Sequence, residues 1–252
     1  MNRNESFPGI LVSTLKARLG WASLDVTVED VDQLQVVVSG SDQDVQSLRV
    51  QCVDNCLVVE QPAWGISFRG PKTERWLQIM IRLPRSWKGA VDLRSLTAPL
   101  KAHGLTGTDL AFSTFTGALT VGALHSMTVS LRTFAGDVVA EHLEGERLSI
   151  GTAVGDVSVM ACGFEDVQCH AMSGRIDLDF VRPFGRFAAI AGSGDIRLFA
   201  PMNKADVSLR SLRGRLHTRG VSIQPDAPET RITSFSGNFE INCSYAATYE
   251  EE

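Results

Sequence analysis

From about residue 95 onward, short runs of alternating apolar and polar residues recur around a glycine. The segments Phe112–Val121, Leu131–Ala140, Ile150–Val159, Cys169–Leu178, Ala189–Leu198, Leu209–Thr218 and Ile232–Ile241 align on Gly117, Gly136, Gly155, Gly174, Gly194, Gly214 and Gly237, in steps of 19, 19, 19, 20, 20 and 23 residues. A degenerate earlier copy, Ser95–Ala102, has Ala98 in the glycine place, and the long last step holds the Pro-rich insert Gln224–Pro228, which reads as a loop. Seven and five residues before the glycine the side chains are mostly apolar, as in Val129 and Leu131, Leu148 and Ile150, Val167 and Cys169, and Val207 and Leu209. Three before it the residue is small: Thr114, Thr133, Thr152, Ala171, Ala191, Ser211, Ser234. Two after it the residue is apolar: Leu119, Val138, Val157, Ile176, Ile196, Leu216, Phe239.

Alternation by two means strands with one face turned inward. A glycine between two such strands marks a sharp turn that needs backbone freedom. Each copy thus reads as strand, tight turn, strand, looser turn. A two-strand unit of this length cannot close its own core, but stacked copies shield one another, each strand pairing with its counterpart about 4.8 Å along the axis. The sequence predicts an all-β protein: a parallel β-solenoid, or β-helix, of about eight 19–20-residue coils. No long segment keeps the 3.6-residue apolar period of a helix.

Two columns of this stack stand out. The residue after each glycine runs Ala118, Asp137, Asp156, Arg175, Asp195, Arg215, Asn238, so in chain order the sign alternates from Asp156 to Arg215 and a ladder of cross-strand ion pairs is expected. The residue two before each glycine runs Phe115, Phe134, Ala153, Met172, Gly192, Leu212, Phe235. These side chains form either a covered corner stack or an exposed apolar ridge for a partner, in which case Phe115, Phe134, Met172, Leu212 and Phe235 are the candidate binding residues.

Residues 24–84 lack the repeat but remain strand-like in Leu24–Val28, Leu34–Gly40, Leu48–Val53, Cys56–Gln61 and Trp76–Pro84. Asp54-Asn55 reads as a two-residue hairpin turn, and Ala63–Thr73 as a loop. This region is expected to form an antiparallel β cap over the first coil. The implied division is a capping region over residues 1–90 and a repeat domain over 91–252. At the far end Ser244–Glu252 offers a charged cover against end-to-end growth.

Composition narrows the role. A net charge of −5 spread along 252 residues argues against a nucleic-acid partner, which requires a basic face. No stretch approaches the roughly 18 apolar residues of a membrane span. The longest apolar run near the N-terminus is Ile10-Leu11-Val12, so the expectation is a cytoplasmic protein, with export or envelope association as the alternative should a leader precede it. Five cysteines, Cys52, Cys56, Cys162, Cys169 and Cys243, make a poor disulfide framework and read as reduced strand or core residues.

A β-rich lead-in ending in Ile81-Arg82-Leu83-Pro84, followed by recurring S/T-x-x-G-D-V/I-x-V units, resembles the bacterial DUF4097 family, whose members carry an adhesin label. The cleanest matches are Thr133–Val138, Thr152–Val157 and Ala191–Ile196. The resemblance implies a non-enzymatic β-solenoid.

Enzymes also occur on β-helices. Asp156, Asp177, Asp195, Arg175, Arg197 and His217 are the candidates for such a site, all expected to face outward; paired signs along that face favour a solvated charged surface without an acid of raised pKa. His103, His125, His142, His170 and His217 show no metal-ligand spacing. Gly192-Ser193-Gly194-Asp195 is one turn of the repeat, with no strand-to-helix context for a nucleophile. No cofactor is expected. The function expected is a non-catalytic, adhesin-like scaffold that binds a protein or glycan through an outer face. The alternatives are an intracellular regulatory module of envelope stress and a carbohydrate-active enzyme.

Overall fold

The computed structural model describes residues 1–61 and 76–244. The expected loop at Ala63–Thr73, and all but the first residue of the cover expected at Ser244–Glu252, lie outside the described residues. The chain opens with β1 (Asn2–Pro8), a single 3-10 turn (Gly9–Leu11), β2 (Thr14–Leu19), β3 (Ser23–Glu29), β4 (Gln33–Gly40), a short helix α1 (Asp42–Ser47), β5 (Arg49–Val53) and β6 (Cys56–Glu60). The repeat region is led in by β7 (Leu77–Pro84), β8 (Ala90–Ser95), β9 (Leu100–His103) and β10 (Leu105–Thr114). Then come three 17-residue strands, β11 (Leu119–Ala135), β12 (Val138–Val154) and β13 (Val157–Ser173). Shorter strands complete the chain: β14 (Ile176–Phe180), β15 (Arg186–Ser193), β16 (Ile196–Ala200), β17 (Lys204–Arg213), β18 (Leu216–Arg219), β19 (Ser222–Ile223), β20 (Glu229–Ser236) and β21 (Phe239–Cys243).

The repeat stacks as a parallel β-solenoid in the register that the glycines imply. Leu119, Val138, Val157, Ile176, Ile196 and Phe239 lie side by side on successive rungs, and every one is buried. The facing column, Leu131, Ile150, Cys169, Ala189 and Ile232, is buried as well. Together they make the core between the two faces of the coil, where each fully buried aliphatic or aromatic side chain contributes about 1.5–3 kcal/mol. The looser corner is not a loop in β11, β12 and β13: ladder pairing continues through it, for example at Leu124↔Leu143 and Leu143↔Cys162. Where the insertion at 181–185 interrupts that corner, Phe180, Phe184 and Phe187 fill the space, with ring centroids 4.7 to 6.4 Å apart.

One departure from the sequence expectation is the order of the last rungs. β20 and β21, last in the chain, do not stack on β17 and β18. They insert between them and the preceding rung: β15 pairs with β20 and β20 with β17, while β16 pairs with β21 and β21 with β18. Burial explains the order. Phe239 and Ile241 of β21 are almost wholly buried and need a neighbour on both sides, whereas β18 offers only Leu216 and the exposed Thr218 at those positions. Charge agrees, since the insertion sets Glu229 3.5 Å from Arg186 and Glu240 3.6 Å from Arg197.

At the other end the expected antiparallel pairing is present in β1–β4, β4–β7 and β5–β6. Asp54 and Asn55, at φ 49° and 60°, make the expected two-residue turn. The expectation of a wholly antiparallel cap does not hold for β2 and β3: lying parallel to β6 and β7 on one side and to β8 and β9 on the other, they form a rung of the solenoid. The repeat pattern does not flag this rung because its corner, Leu19–Ala22, is built otherwise. Gln61 Oε1 accepts the N–H groups of Gly20, Trp21 and Ala22 at 2.9, 3.1 and 3.2 Å, whereas at Gly136, Gly155 and Gly174 a backbone carbonyl of the adjacent rung accepts the corner N–H. β1, β2 and α1 precede or interrupt the segments that the sequence marks as strands.

Candidate interaction surface

The corner geometry follows from the glycine. Gly136, Gly155, Gly174, Gly194 and Gly237 have φ between 126° and 151°, a region side chains avoid, and a Cβ on Gly194 would overlap the carbonyl oxygen of Gly174. Three residues before the glycine, the side chain points inward and ties the rungs together. Thr133 Oγ1 donates to Gly117 O at 3.3 Å and Thr152 Oγ1 to Gly136 O at 3.4 Å, while Thr114 Oγ1 accepts the Gly117 N–H at 2.9 Å. The next residue along must then point outward, because strand side chains alternate.

That outward column is an exposed ridge, not a covered stack. Phe115, Phe134, Met172, Leu212 and Phe235 are 53%, 54%, 72%, 69% and 63% exposed. Leu96 extends the column below Phe115, and Val154, one residue further along, is exposed beside the small Ala153. In spatial order the strip reads Leu96, Phe115, Phe134, Val154, Met172, Gly192, Phe235, Leu212. It is apolar on all rungs but that of Gly192 and runs roughly 34 Å at about 4.8 Å per rung. The sequence marks five of these residues; Leu96 was legible as the same column in the degenerate copy, and Val154 was hidden because it stands one position out of register.

Beside the ridge runs the column after the glycine, and its role differs from the expected ion-pair ladder. Asp137 Oδ1 accepts the Asp156 N–H at 2.9 Å, Asp156 Oδ1 the Arg175 N–H at 2.7 Å, Asp195 Oδ1 the Asn238 N–H at 2.8 Å, and Asn238 Oδ1 the Arg215 N–H at 3.3 Å. Each acidic or amide side chain caps the backbone of the next rung, and the inserted rung puts Asn238 between Asp195 and Arg215. Charge alternation in chain order therefore does not become charge alternation in space.

The candidate enzyme residues fall along one outer face. Asp177 lies beside Arg197 in register and 3.9 Å from Arg175, while His217 sits next to Glu240, a rung beyond Arg197. Contrary to the even pairing expected, burial pushes the Asp177 carboxyl above its ordinary value. Arg175 and Arg197 oppose that shift, and Asp156 and Asp195 add to it. Burial raises Asp179 too. The histidines are less scattered than in sequence: His142 Nε2 is 3.0 Å and His125 Nδ1 3.4 Å from Glu144, whose carboxyl is held below its ordinary range chiefly by the His142 contact. The repeat spacing of 19 between His125 and Glu144 carried that pairing. Among the described residues no group of three or more His, Cys, Asp or Glu could hold a metal ion. The five cysteines are free, and burial pushes the Cys162 thiol up to about 12 and Cys169 upward as well. No helix among the described residues is long and apolar enough to cross a membrane.

Comparison with known proteins places this architecture. The crystal structure of a "putative adhesin" from Bacteroides fragilis is similar at 14% identity and a TM-score of 0.57, over 96% of this chain and 97% of that one. A "putative lipid binding protein" from Parabacteroides distasonis is similar at 12% identity and 0.54, over 94% and 96%. A "putative adhesin" from the same species follows at 13% and 0.52, over 95% and 96%. At these identities the likeness is one of fold. No curated protein matches the chain. The family model described as Toastrack DUF4097 matches residues 18–224, from β2 through to the loop before β20, and the chain belongs to that family.

Proposed function

We propose that the protein is a non-catalytic, adhesin-like interaction scaffold that binds a protein partner along the apolar corner of the solenoid. The observation carrying this reading is the strip from Leu96 to Leu212, in which large apolar side chains stand in water on a rigid, hydrogen-bonded corner. Contiguous exposed apolar surface of this kind marks interaction sites, and a preordered ridge loses little conformational entropy on binding. A protein fits better than a glycan. The rings of Phe115 and Phe134 cover one another at 4.8 Å, so sugar rings have less open aromatic face to stack on, and the strip has few polar groups for hydroxyls. The carboxylates beside the ridge are engaged by backbone N–H groups, which suits a structural role better than acid–base chemistry.

The test is partner recovery from native lysate and envelope fractions by the wild type and by Phe115→Ser/Phe134→Ser, with thermal unfolding as the folding control. A site-specific photocrosslinker at Met172 should label the same partner. Equal recovery by both proteins overturns the reading.

A further inference from the structure

The apolar crest of the corner has unlike flanks. Strand side chains alternate, so the residue two before each crest position points outward beside it. This column runs in register from Arg94 to Arg210 and carries Arg94, Arg132, His170 and Arg210, with no carboxylate. Arg94 is held by Asp92 at 2.9 Å. Arg132 and Arg210 are exposed and have no ion-pair partner among the described residues. Nothing bulky crowds Arg132, whose neighbours on the adjacent rungs are Ser113 and Gly151. On the other flank the carboxylates of Asp137, Asp156 and Asp195 already accept backbone N–H groups.

Cations also gather at one end of the crest. Arg213 and Arg215 stand on either side of Gly214, beside Leu212, and both are exposed without an ion-pair partner among the described residues. The single carboxylate of residues 204–219, Asp206, lies two columns farther from the crest than Arg210, next to Glu229. By contrast Arg186, Arg197 and Arg231, on columns away from the crest, are each paired with Glu229 or Glu240. Beside the exposed apolar strip, then, four guanidinium groups are left without the carboxylates that their geometry suits.

We infer that the segment covering the ridge is an acidic, amphipathic stretch of protein. Its apolar side chains lie along the crest from Leu96 to Leu212. Carboxylates on one side of them meet Arg132 and Arg210, and carboxylates at one end meet Arg213 and Arg215. This inference supplies the chemistry of the partner and rests on the ridge being the binding surface. Because the cations occupy one flank and one end, they also fix which way the segment runs. Each exposed ion pair adds only about 0–1 kcal/mol, so the crest supplies the affinity, while the arginines steer encounter and reject a basic segment of the same apolar pattern.

Two synthetic peptides of about 20 residues, long enough as a helix to span roughly 30 Å, test it. They share one Leu stripe and differ in carrying Glu or Lys beside it. Fluorescence anisotropy with the full chain should show the Glu peptide binding about tenfold more tightly than the Lys peptide. The preference should fade at about 1 M salt, where the Debye length is about 3 Å. Arg132→Glu/Arg210→Glu should reverse the preference, a gain for the Lys peptide that misfolding cannot produce. Phe115→Ser/Phe134→Ser should weaken both peptides. A wild type without preference for the Glu peptide, whether both bind alike or neither binds, overturns the inference, as does a preference unmoved by Arg132→Glu/Arg210→Glu. Phosphatidylserine-containing vesicles are the third probe: wild type that binds them but does not prefer the Glu peptide would assign the arginines to a lipid surface instead. Equal binding of both peptides that is lost in Phe115→Ser/Phe134→Ser would sink the charge inference and leave the ridge standing; the ridge itself falls only if that variant still recovers the native partner.

Discussion

The rings of Phe115 and Phe134 stack face to face, with centroids 4.8 Å apart and planes 7° from parallel, while both side chains remain more than half exposed. Their separation is the spacing of the rungs themselves, so the contact is imposed by the ladder and not by burial. A double-mutant cycle with Phe115→Ala and Phe134→Ala should show coupling at the low end for aromatic pairs, about 0.5 kcal/mol in denaturant unfolding. Each single substitution should cost little, since neither ring enters the core. Coupling indistinguishable from zero would mean that the rings part in solution.

The tight corner predicts a sharp contrast between two glycines. Gly194 has φ 127°, and any Cβ there overlaps Gly174 O. Gly194→Ala should therefore destabilise by about 2–4 kcal/mol. Gly151 lies mid-strand on β12 with ordinary φ, and the nearest atom to its virtual Cβ is Arg132 Cγ at 3.9 Å. Gly151→Ala should be neutral or stabilise by about 0.4–1 kcal/mol. Similar losses at both positions in urea unfolding would contradict this account of the corner.

Asp177 makes a pH prediction. Burial raises its carboxyl, and its Oδ1 has no hydrogen-bond partner among the described residues. With the folded pKa above the unfolded one, protonation favours the folded state. The contribution is most favourable below the unfolded value, about 3.9, and is lost as pH rises through the folded value. At neutral pH the ionised group is a burden, so Asp177→Asn should raise the melting temperature there, and the advantage should shrink as pH falls towards 3. A variant less stable than wild type at pH 7 would show that Arg175 and Arg197 outweigh the cost of burial.

Much of this molecule can be read from Gly117 to Gly237 because one physical constraint repeats. A small inward residue and an apolar residue two positions after the glycine, with a positive φ at Gly136, Gly155, Gly174, Gly194 and Gly237, are each a local requirement, and stacking multiplies them. The ridge residues Phe115, Phe134, Met172, Leu212 and Phe235 follow from the same register, although their exposure is decided by what lies outside the corner, which spacing does not encode. The rung of β2 and β3 escaped because a distant side chain, Gln61, satisfies its corner. The ladder of Asp137, Asp156, Asp195 and Asn238 was visible as a column, but its hydrogen bonds to backbone were not, since a carboxylate beside an arginine and one beside an N–H look alike in sequence. The rung order differs from the chain order that a solenoid takes by default, because the core demands of Phe239 and Ile241 set the order in space.

That inserted order yields the last prediction. β20 and β21 come last in the chain, and in a solenoid wound in chain order they would form the open end and exchange first. Here they are flanked on both sides, by β15 and β16 below and by β17 and β18 above. Their inward residues Thr230, Ile232, Phe239 and Ile241 are buried, whereas Val207, Leu209 and Leu216 of the outer rung are half-buried. Amide groups open at a free energy set by local packing, with fraying edges near the bottom of the range. Hydrogen exchange followed by mass spectrometry should therefore find peptides from 229–243 protected well after those from 206–219 have exchanged. Faster exchange in 229–243 than in 206–219 would restore chain order and return Asp195 to the side of Arg215.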